Sequence, residues 1–322
     1  MSNRIRIGVM GCANIAKRSV IPTIKSIDAY QLVAIASRTT EKAQEFAQIF
    51  DCEAITGYEN LLIRDDIDAV YMPLPTGLHE EWVLKTLDAQ KHILIEKSLA
   101  MNYASAQKMV EKAKAKQLLI MEDFMFLYHS QHQFVKDLIQ QGEIGELRCF
   151  RSSFGFPPFP EDNFRYNKSL GGGALLDAAA YTIRASQLFL GDNLAVEAAR
   201  LNIVEGREVD IFGGAFLTNP AGVVAELAFG FDNYYQCNYE IWGSKGKITA
   251  HKSFTPRPNE KPMITLEKQD IKQDFAAKPD NHFKNILTEF SKCICTKDFE
   301  SKYHEILNQS SLIQAVRDKS GK

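Results

Sequence analysis

The sequence predicts two domains, an α/β domain on a parallel sheet followed by an α+β domain with an open, mainly antiparallel sheet. Three observations predict it. Short apolar, β-branched runs alternate with helical patterns of about 10–15 residues as far as Glu122, the rhythm of βαβ units. Beyond that point the strands lengthen and alternate apolar with polar residues, as half-exposed antiparallel strands do. The chain's 322 residues suit two domains at about 100–200 residues each. The division is expected near Glu122, giving domains 1–122 and 123–322, with the C-terminal helices able to pack back on the first.

Composition narrows the function classes. With 45% hydrophobic and 24% charged residues, the chain has enough apolar surface to offset its conformational entropy, so disorder is excluded as the dominant state. A net charge of −2 lacks the basic footprint of a nucleic-acid binder. No apolar run approaches the ~18 residues of a membrane span. Met1-Ser2-Asn3-Arg4 leads straight into a strand without a signal-peptide pattern. The six cysteines have no framework spacing and read as reduced thiols. A cytoplasmic protein is the expectation. Cys293-Ile294-Cys295 is the closest pair, and it lacks a second pair for zinc.

In the first domain, Arg4–Met10 is a buried strand and Asn14–Ile27 a helix. Leu32–Ser37 is the second strand, followed by a helix over Thr40–Phe50 capped by Thr39 or Thr40. Ala69–Pro73, His92–Glu96 and Leu118–Met121 are the third, fourth and fifth strands, separated by helices at Glu80–Ala89 and Ala104–Lys116. A helix over His129–Gln141 closes at Gly142. The second domain then has strands at Glu146–Phe154, Ala195–Val204, Asp210–Thr218, Val223–Gly230, Gln236–Trp242 and Lys247–Ala250. Turns at 219–222 and 243–246 join two pairs of these, and a helix is inserted at Gly172–Leu190. Helices at His282–Cys295 and Lys302–Arg317 form the tail.

The first strand runs into Gly11-Cys12-Ala13-Asn14-Ile15-Ala16, a variant of the G-x-G-x-x-G/A fingerprint with alanine at its second small position. The first glycine permits a tight turn, and the helix that follows offers free N–H groups to a pyrophosphate. This marks the first domain as a Rossmann dinucleotide-binding domain, with Gly11, Cys12, Ala13, Asn14 and Ile15 at the phosphates. The second strand ends in Ser37-Arg38-Thr39, where NAD sites place an acid for the ribose 2′-OH. Arg38 can pair with a 2′-phosphate and Ser37 can hydrogen-bond it, so NADP is favoured and NAD is the alternative. Lys97, at the carboxyl end of the fourth strand, is placed to face the nicotinamide. Gly171-Gly172-Gly173 precedes a helix on which Asp177 and Tyr181, four residues apart, share a face.

These residues together resemble the glucose–fructose oxidoreductase / inositol dehydrogenase (Gfo/Idh/MocA) family. The resemblance spans essentially the whole chain: the early glycine turn, Leu74-Pro75-Thr76 with His79, Glu96-Lys97, Gly171–Asp177 and Trp242-Gly243-Ser244-Lys245-Gly246. It implies cofactor contacts at Leu74, Pro75, His79, Glu96 and Lys97, and reversible hydride transfer between a nicotinamide and a sugar or cyclitol carbon. Two positions depart from the family's common pattern, Ser98 where proline often follows Glu-Lys, and Tyr181 where histidine often follows the helix aspartate. Members with lysine and tyrosine at these places include sugar-nucleotide 3-ketoreductases, aldose (xylose) 1-dehydrogenases and dihydrodiol dehydrogenases. The stretch Met121–His132, with Gly11-Cys12-Ala13, looks closest to ketoreductases acting on dTDP-linked 3-keto-6-deoxyhexoses.

The chemistry implied is proton donation by Tyr181, with Lys97 as its electrostatic partner and Asp177 orienting Lys97 or a substrate hydroxyl. Arg165, in an aromatic loop before the glycine run, is expected to face a phosphate, the cofactor's included, or a sugar hydroxyl. His129 and His132, three apart, lack a third ligand, and no metal is expected. The expected partners are a small sugar or nucleotide-sugar substrate and a second copy of the chain, as a homodimer or homotetramer through an uncovered sheet face. A free-sugar or dihydrodiol dehydrogenase and a non-enzymatic NADP-binding regulator are the alternatives.

Overall fold

The computed structural model describes residues 4–321 and divides into two compact units. One is Met1–Asp123 with Phe283–Leu307, the other Phe124–His282 with Asn308–Lys322. The tail therefore does not belong wholly to the second unit. Within the first unit, the Tyr30 hydroxyl donates to the Leu287 carbonyl and the Tyr303 hydroxyl to the Leu118 carbonyl, each at 2.6 Å. These two buried phenols fasten the tail helices His282–Thr296 and Glu300–Lys319 where they pass the parallel sheet.

That sheet has six parallel strands: β1 (Ile5–Met10), β2 (Tyr30–Ser37), β3 (Glu53–Thr56), β4 (Ala69–Met72), β5 (His92–Ile95) and β6 (Ile120–Glu122). Their order is β3-β2-β1-β4-β5-β6. The order reverses between β1 and β4, and a crevice for ligands opens at the carboxyl ends of the strands there. β4 is buried throughout and β1 nearly so, because crossover helices cover both faces of a parallel sheet. β3 and the short helix Tyr58–Leu62 stand between the helix Thr40–Phe50 and Ala69, where the sequence pattern predicts no element. β3 is an edge strand with one buried residue in four, so it carries no apolar run to read. Ala69–Met72 is thus the fourth strand of the sheet.

The second unit holds an eight-stranded sheet: β7 (Leu147–Gly155), β8 (Ala195–Asn202), β9 (Phe212–Thr218), β10 (Val224–Gly230), β11 (Gln236–Gly243), β12 (Gly246–Ala250), β13 (Met263–Lys268) and β14 (Ile271–Ala276). The order is β14-β13-β12-β11-β7-β10-β9-β8. Every pair is antiparallel except β7–β10, which run parallel, so the sheet is mixed and mostly antiparallel. β13 and β14 were missed in the sequence, since β14 is almost wholly exposed and β13 lies beside it.

Alternation gives this sheet two unlike faces. One presents Phe150, Leu217, Leu227, Tyr239, Ile241 and Ile248, all buried, to the helix Ala180–Leu190, where Phe189 packs 4.9 Å from the Tyr239 ring. The other carries a charged ladder in which Arg151 pairs with Glu226 and Glu240, and Lys247 with Glu240 and Glu267.

Three histidines meet beneath the buried face, in the second unit. His129 caps the helix Ser130–Gln140 by accepting from the Gln131 N–H, and its ring lies 5.9 Å from His282 and 6.5 Å from His132. His132 Nδ1 lies 2.9 Å from the Tyr239 hydroxyl. Burial pushes all three rings down, His132 and His282 to about 3. Each of those two rings stays neutral in the folded chain to near pH 3, yet protonates near ~6.5 when unfolded. The unfolded state therefore binds more protons as pH falls below ~6.5, and stability declines with it. At pH 5 the loss is expected to be on the order of 2 kcal/mol per ring. Urea unfolding at pH 7.5, 6 and 5 measures it, and His282→Gln should flatten the slope.

Candidate active site

In the first unit the turn after β1 is made by Gly11, whose φ of +123° is costly for any residue with a side chain. Its N–H donates to the Ala36 carbonyl at 2.9 Å, tying the turn to the end of β2. A Cβ here would come within 3.0 Å of Leu74, so the segment after β4 closes directly over the turn. Cys12, Ala13 and Ile15 are half-buried and Asn14 is exposed. The helix they open continues through a π-helical stretch, Ala16–Val20, before returning to α at Ile21. Such wide turns concentrate at functional sites.

At the end of β2, Ser37 is buried and Arg38 is exposed. The Arg38 guanidinium lies beside the phenol of Tyr58, opposing the effect of burial, which raises that phenol's pKa. Tyr58 in turn packs edge-on against Trp82, ring centroids 4.9 Å apart. Sequence reading missed Tyr58 because it passed over the helix Tyr58–Leu62. A Gly57-Tyr58 step following a short strand was the available signal. The exposed cation, the adjacent hydroxyl and the lack of an acid until Glu41 fit a dinucleotide bearing a 2′-phosphate.

The carboxyl ends of β4 and β5 carry the other predicted residues of this unit. Pro75 is half-buried beside buried Leu74. His79 is fully buried, with Nε2 2.8 Å from the Leu74 carbonyl and Nδ1 3.0 Å from that of Leu99. Burial lowers its pKa, while the Leu74 and Leu99 carbonyls oppose the effect. In this position the ring ties together the two loops at the strand ends. Glu96 accepts from the Tyr71 hydroxyl at 2.7 Å, which anchors the residue before Lys97. Lys97 is half-buried, near enough to His79 for its charge to disfavour protonation of that ring, and the Lys97–Ser98 peptide is cis.

Asp177, Tyr181 and Arg165 belong to the second unit. Gly172 has no room for a side chain, since a Cβ would collide with the Arg165 carbonyl. This lets the loop before the glycines lie flat on them: Gly173 donates to the Arg165 carbonyl and Gly172 to that of Asn167, both at 2.9 Å. Asp210 holds the start of the helix, accepting from Leu175 through its carboxylate at 2.7 Å and from Ala174 through its carbonyl at 2.8 Å. Burial raises the Asp210 pKa, and the hydrogen bond from Leu175 works against that.

The helix opens with a second π-helical stretch, Leu175–Ala179, which carries Asp177, and turns α at Ala180. Asp177 pairs with Arg165, whose guanidinium sits 4.6 Å from the Phe159 ring and 4.7 Å from that of Phe164. Arg165 is thus held by an aspartate and two aromatic rings of its own unit. Tyr181 is buried among phenylalanines. Among the described residues, no group of three or more His, Cys, Asp or Glu side chains is placed to hold a metal ion.

Residues 5–124 match an oxidoreductase family with an NAD-binding Rossmann fold, and residues 132–249 match the GFO/IDH/MocA C-terminal domain. The dTDP-3,4-didehydro-2,6-dideoxy-alpha-D-glucose 3-reductase of Saccharopolyspora spinosa is 42% identical over 294 residues, covering 91% of this chain and 89% of that one. A crystal structure of a 3-ketoreductase from Actinomadura kijaniata in complex with NADP and TDP-benzene is 40% identical, covers 98% of each chain, and superposes with a TM-score of 0.96. That protein has also been solved with a tyrosine replaced by phenylalanine and with a lysine replaced by alanine. The D-xylose 1-dehydrogenase (NADP(+)) 2 of Haloferax volcanii is 28% identical over 90% of this chain and 89% of its own.

The close approach at Gly172 is open to a direct test. In Gly172→Ala the new methyl meets backbone that has no free rotamer to yield. A destabilisation of about 1–3 kcal/mol is expected by urea unfolding, with loss of order in the loop that carries Arg165.

Proposed function

Because the chain belongs to the GFO/IDH/MocA family of oxidoreductases, we propose that it uses NADPH to reduce the 3-keto group of a nucleotide-linked deoxysugar. One observation carries this reading. The lysine and the tyrosine replaced in the Actinomadura kijaniata 3-ketoreductase lie 84 positions apart, as Lys97 and Tyr181 do here. The relatives named as dTDP-sugar 3-reductases match at about 40% identity over most of the chain, whereas the xylose dehydrogenase matches at 28%.

Gly11, Cys12, Ala13, Asn14 and Ile15 would hold the pyrophosphate of NADPH, and Ser37 and Arg38 its 2′-phosphate. Leu74, Pro75, Glu96 and Lys97 would line its nicotinamide half, with His79 fixing the loops that carry them. Bound NADPH supplies the hydride. On the protein side, Tyr181 gives its hydroxyl proton to the oxygen of the reduced carbonyl. A free phenol titrates near ~10, too high for ready exchange at neutral pH. The charge of Lys97 stabilises both the phenolate and the developing alkoxide. Asp177 holds Arg165, and the pair presents its remaining donors to a substrate hydroxyl or phosphate.

NADPH oxidation against nucleotide-linked 3-keto sugars, free aldoses and diols tests the substrate class. Turnover with nucleotide-linked substrates alone is expected, and turnover of a free aldose alone would overturn it. Tyr181→Phe and Lys97→Ala should each lower kcat by about 10²–10⁴-fold, the usual scale of a positioned proton donor. Arg38→Ala should cut the preference for NADPH over NADH by roughly 10–100-fold, the value of a charge-assisted phosphate contact.

The open face of the second sheet sets Phe212, Phe216, Trp242 and Met263, all exposed, beside the Arg151 ladder, with the Arg151 guanidinium 5.2 Å from the Trp242 ring. An apolar patch with a charged frame suits a second copy of the same surface, giving a homodimer or homotetramer. Sedimentation of Trp242→Glu should shift toward monomer. The six free thiols support a cytoplasmic setting. No helix among the described residues is long and apolar enough to cross a membrane.

A further inference from the structure

Tyr181 is held on four sides. Its ring centroid lies 5.9 Å from Phe124, 5.7 Å from Phe126, 4.9 Å from Phe154 and 5.6 Å from Phe254. Phe124 and Phe154 meet it edge to face, at 88° and 71°, while Phe126 and Phe254 lie tilted at 44° and 49°. The phenylalanines also brace one another. Phe254 lies 5.1 Å from both Phe126 and Phe154, and Phe124 lies 6.2 Å from Phe126. All four are buried and come from three places in the second unit: Phe124 and Phe126 from the turn after β6, Phe154 from strand β7, and Phe254 from the loop after β12.

Buried side chains ordinarily touch many neighbours, so the surround by itself also suits a core residue. For a proton donor the surround has a use. In a tyrosine side chain the Cα–Cβ torsion sets where the oxygen stands and the Cβ–Cγ torsion sets the ring plane in which its O–H lies, and contacts on four sides restrict both. Proton transfer depends steeply on that placement, a displacement of 1 Å costing up to about 10²-fold in rate. We propose that Phe124, Phe126, Phe154 and Phe254 are positioning residues for Tyr181, fixing its ring so that its hydroxyl meets the substrate oxygen in one geometry. This rests on the reading of Tyr181 as the proton donor.

The test is a double-mutant cycle on purified, folded enzyme with NADPH and a nucleotide-linked 3-keto sugar. Phe154→Leu and Phe254→Leu, on different elements, each remove one wall while keeping an apolar side chain. Each is expected to lower kcat by about tenfold or more, with the KM values for both substrates within about twofold of wild type. In the Tyr181→Phe background the same substitutions should change kcat by less than about twofold, because the group they position is gone.

Equal losses in both backgrounds would overturn the proposal, as would an unchanged kcat in both leucine variants. Restoration of kcat by Phe154→Tyr, which keeps the ring, is the expected conservative rescue, and its failure counts against the cage. Tyr181→Phe alone with the kcat of wild type overturns the donor reading and the cage with it. A slow Tyr181→Phe beside fast leucine variants overturns the cage alone. If Phe154→Leu does not fold, Phe254→Leu decides.

Discussion

Two helices begin just after a position that disfavours a side chain, by positive φ at Gly11 and by backbone contact at Gly172, and the candidate chemistry hangs from both. At Gly11 the chain must turn with positive φ beneath Leu74, and only then can the helix N-terminus face the crevice beside β1. At Gly172 the Arg165 carbonyl occupies the space of a missing methyl. The second contact has the longer reach. It lays the loop against the helix start, brings the Arg165 guanidinium to Asp177, and leaves the rings of Phe159 and Phe164 beside it. Asp210 completes the arrangement by satisfying amides that a helix start leaves without partners.

The two units solve their burial problems differently, and each solution serves the site. A parallel sheet covered on both faces exposes little except its strand ends, so functional groups gather there on loops. The buried ring of His79 and the Tyr71–Glu96 bond keep those loops in place. The second sheet buries one face only. That face supports the helix bearing Asp177 and Tyr181, and its aromatic lining continues from Phe150 and Phe189 to the phenylalanines around Tyr181. The histidine cluster lies in the same layer, linked to it through Phe126 and His132, 5.6 Å apart. Neutral imidazoles suit such a layer, at the cost of sensitivity to acid.

Much of the fold was legible because burial leaves a period in the sequence. β1, β2, β4 and β5 are apolar runs, and β9 to β11 alternate; each was located to within about two residues. β3, β13 and β14 were not seen, and all three lie at or beside a sheet edge. An edge strand is held by backbone hydrogen bonds on one side, which leave no mark in side-chain polarity. The parallel pairing of β7 with β10 was hidden for a related reason: strand direction depends on what the connections allow, and period alone is blind to it.

The sequence by itself determined the candidate residue types for the proposed chemistry and the small residues that make room for them. Gly11, Arg38, Lys97, the glycines before Asp177, and Tyr181 all stand at positions whose local pattern restricts what can be there. Only the tertiary structure decided what those side chains touch. It set Arg165 against Asp177, Arg38 beside Tyr58, and four phenylalanines around Tyr181, drawn from positions up to 130 residues apart. The physical reason lies in range. Turns, caps and amphipathic faces are settled among near neighbours in the chain, whereas ring packing and ion pairing depend on which surfaces the whole fold presses together.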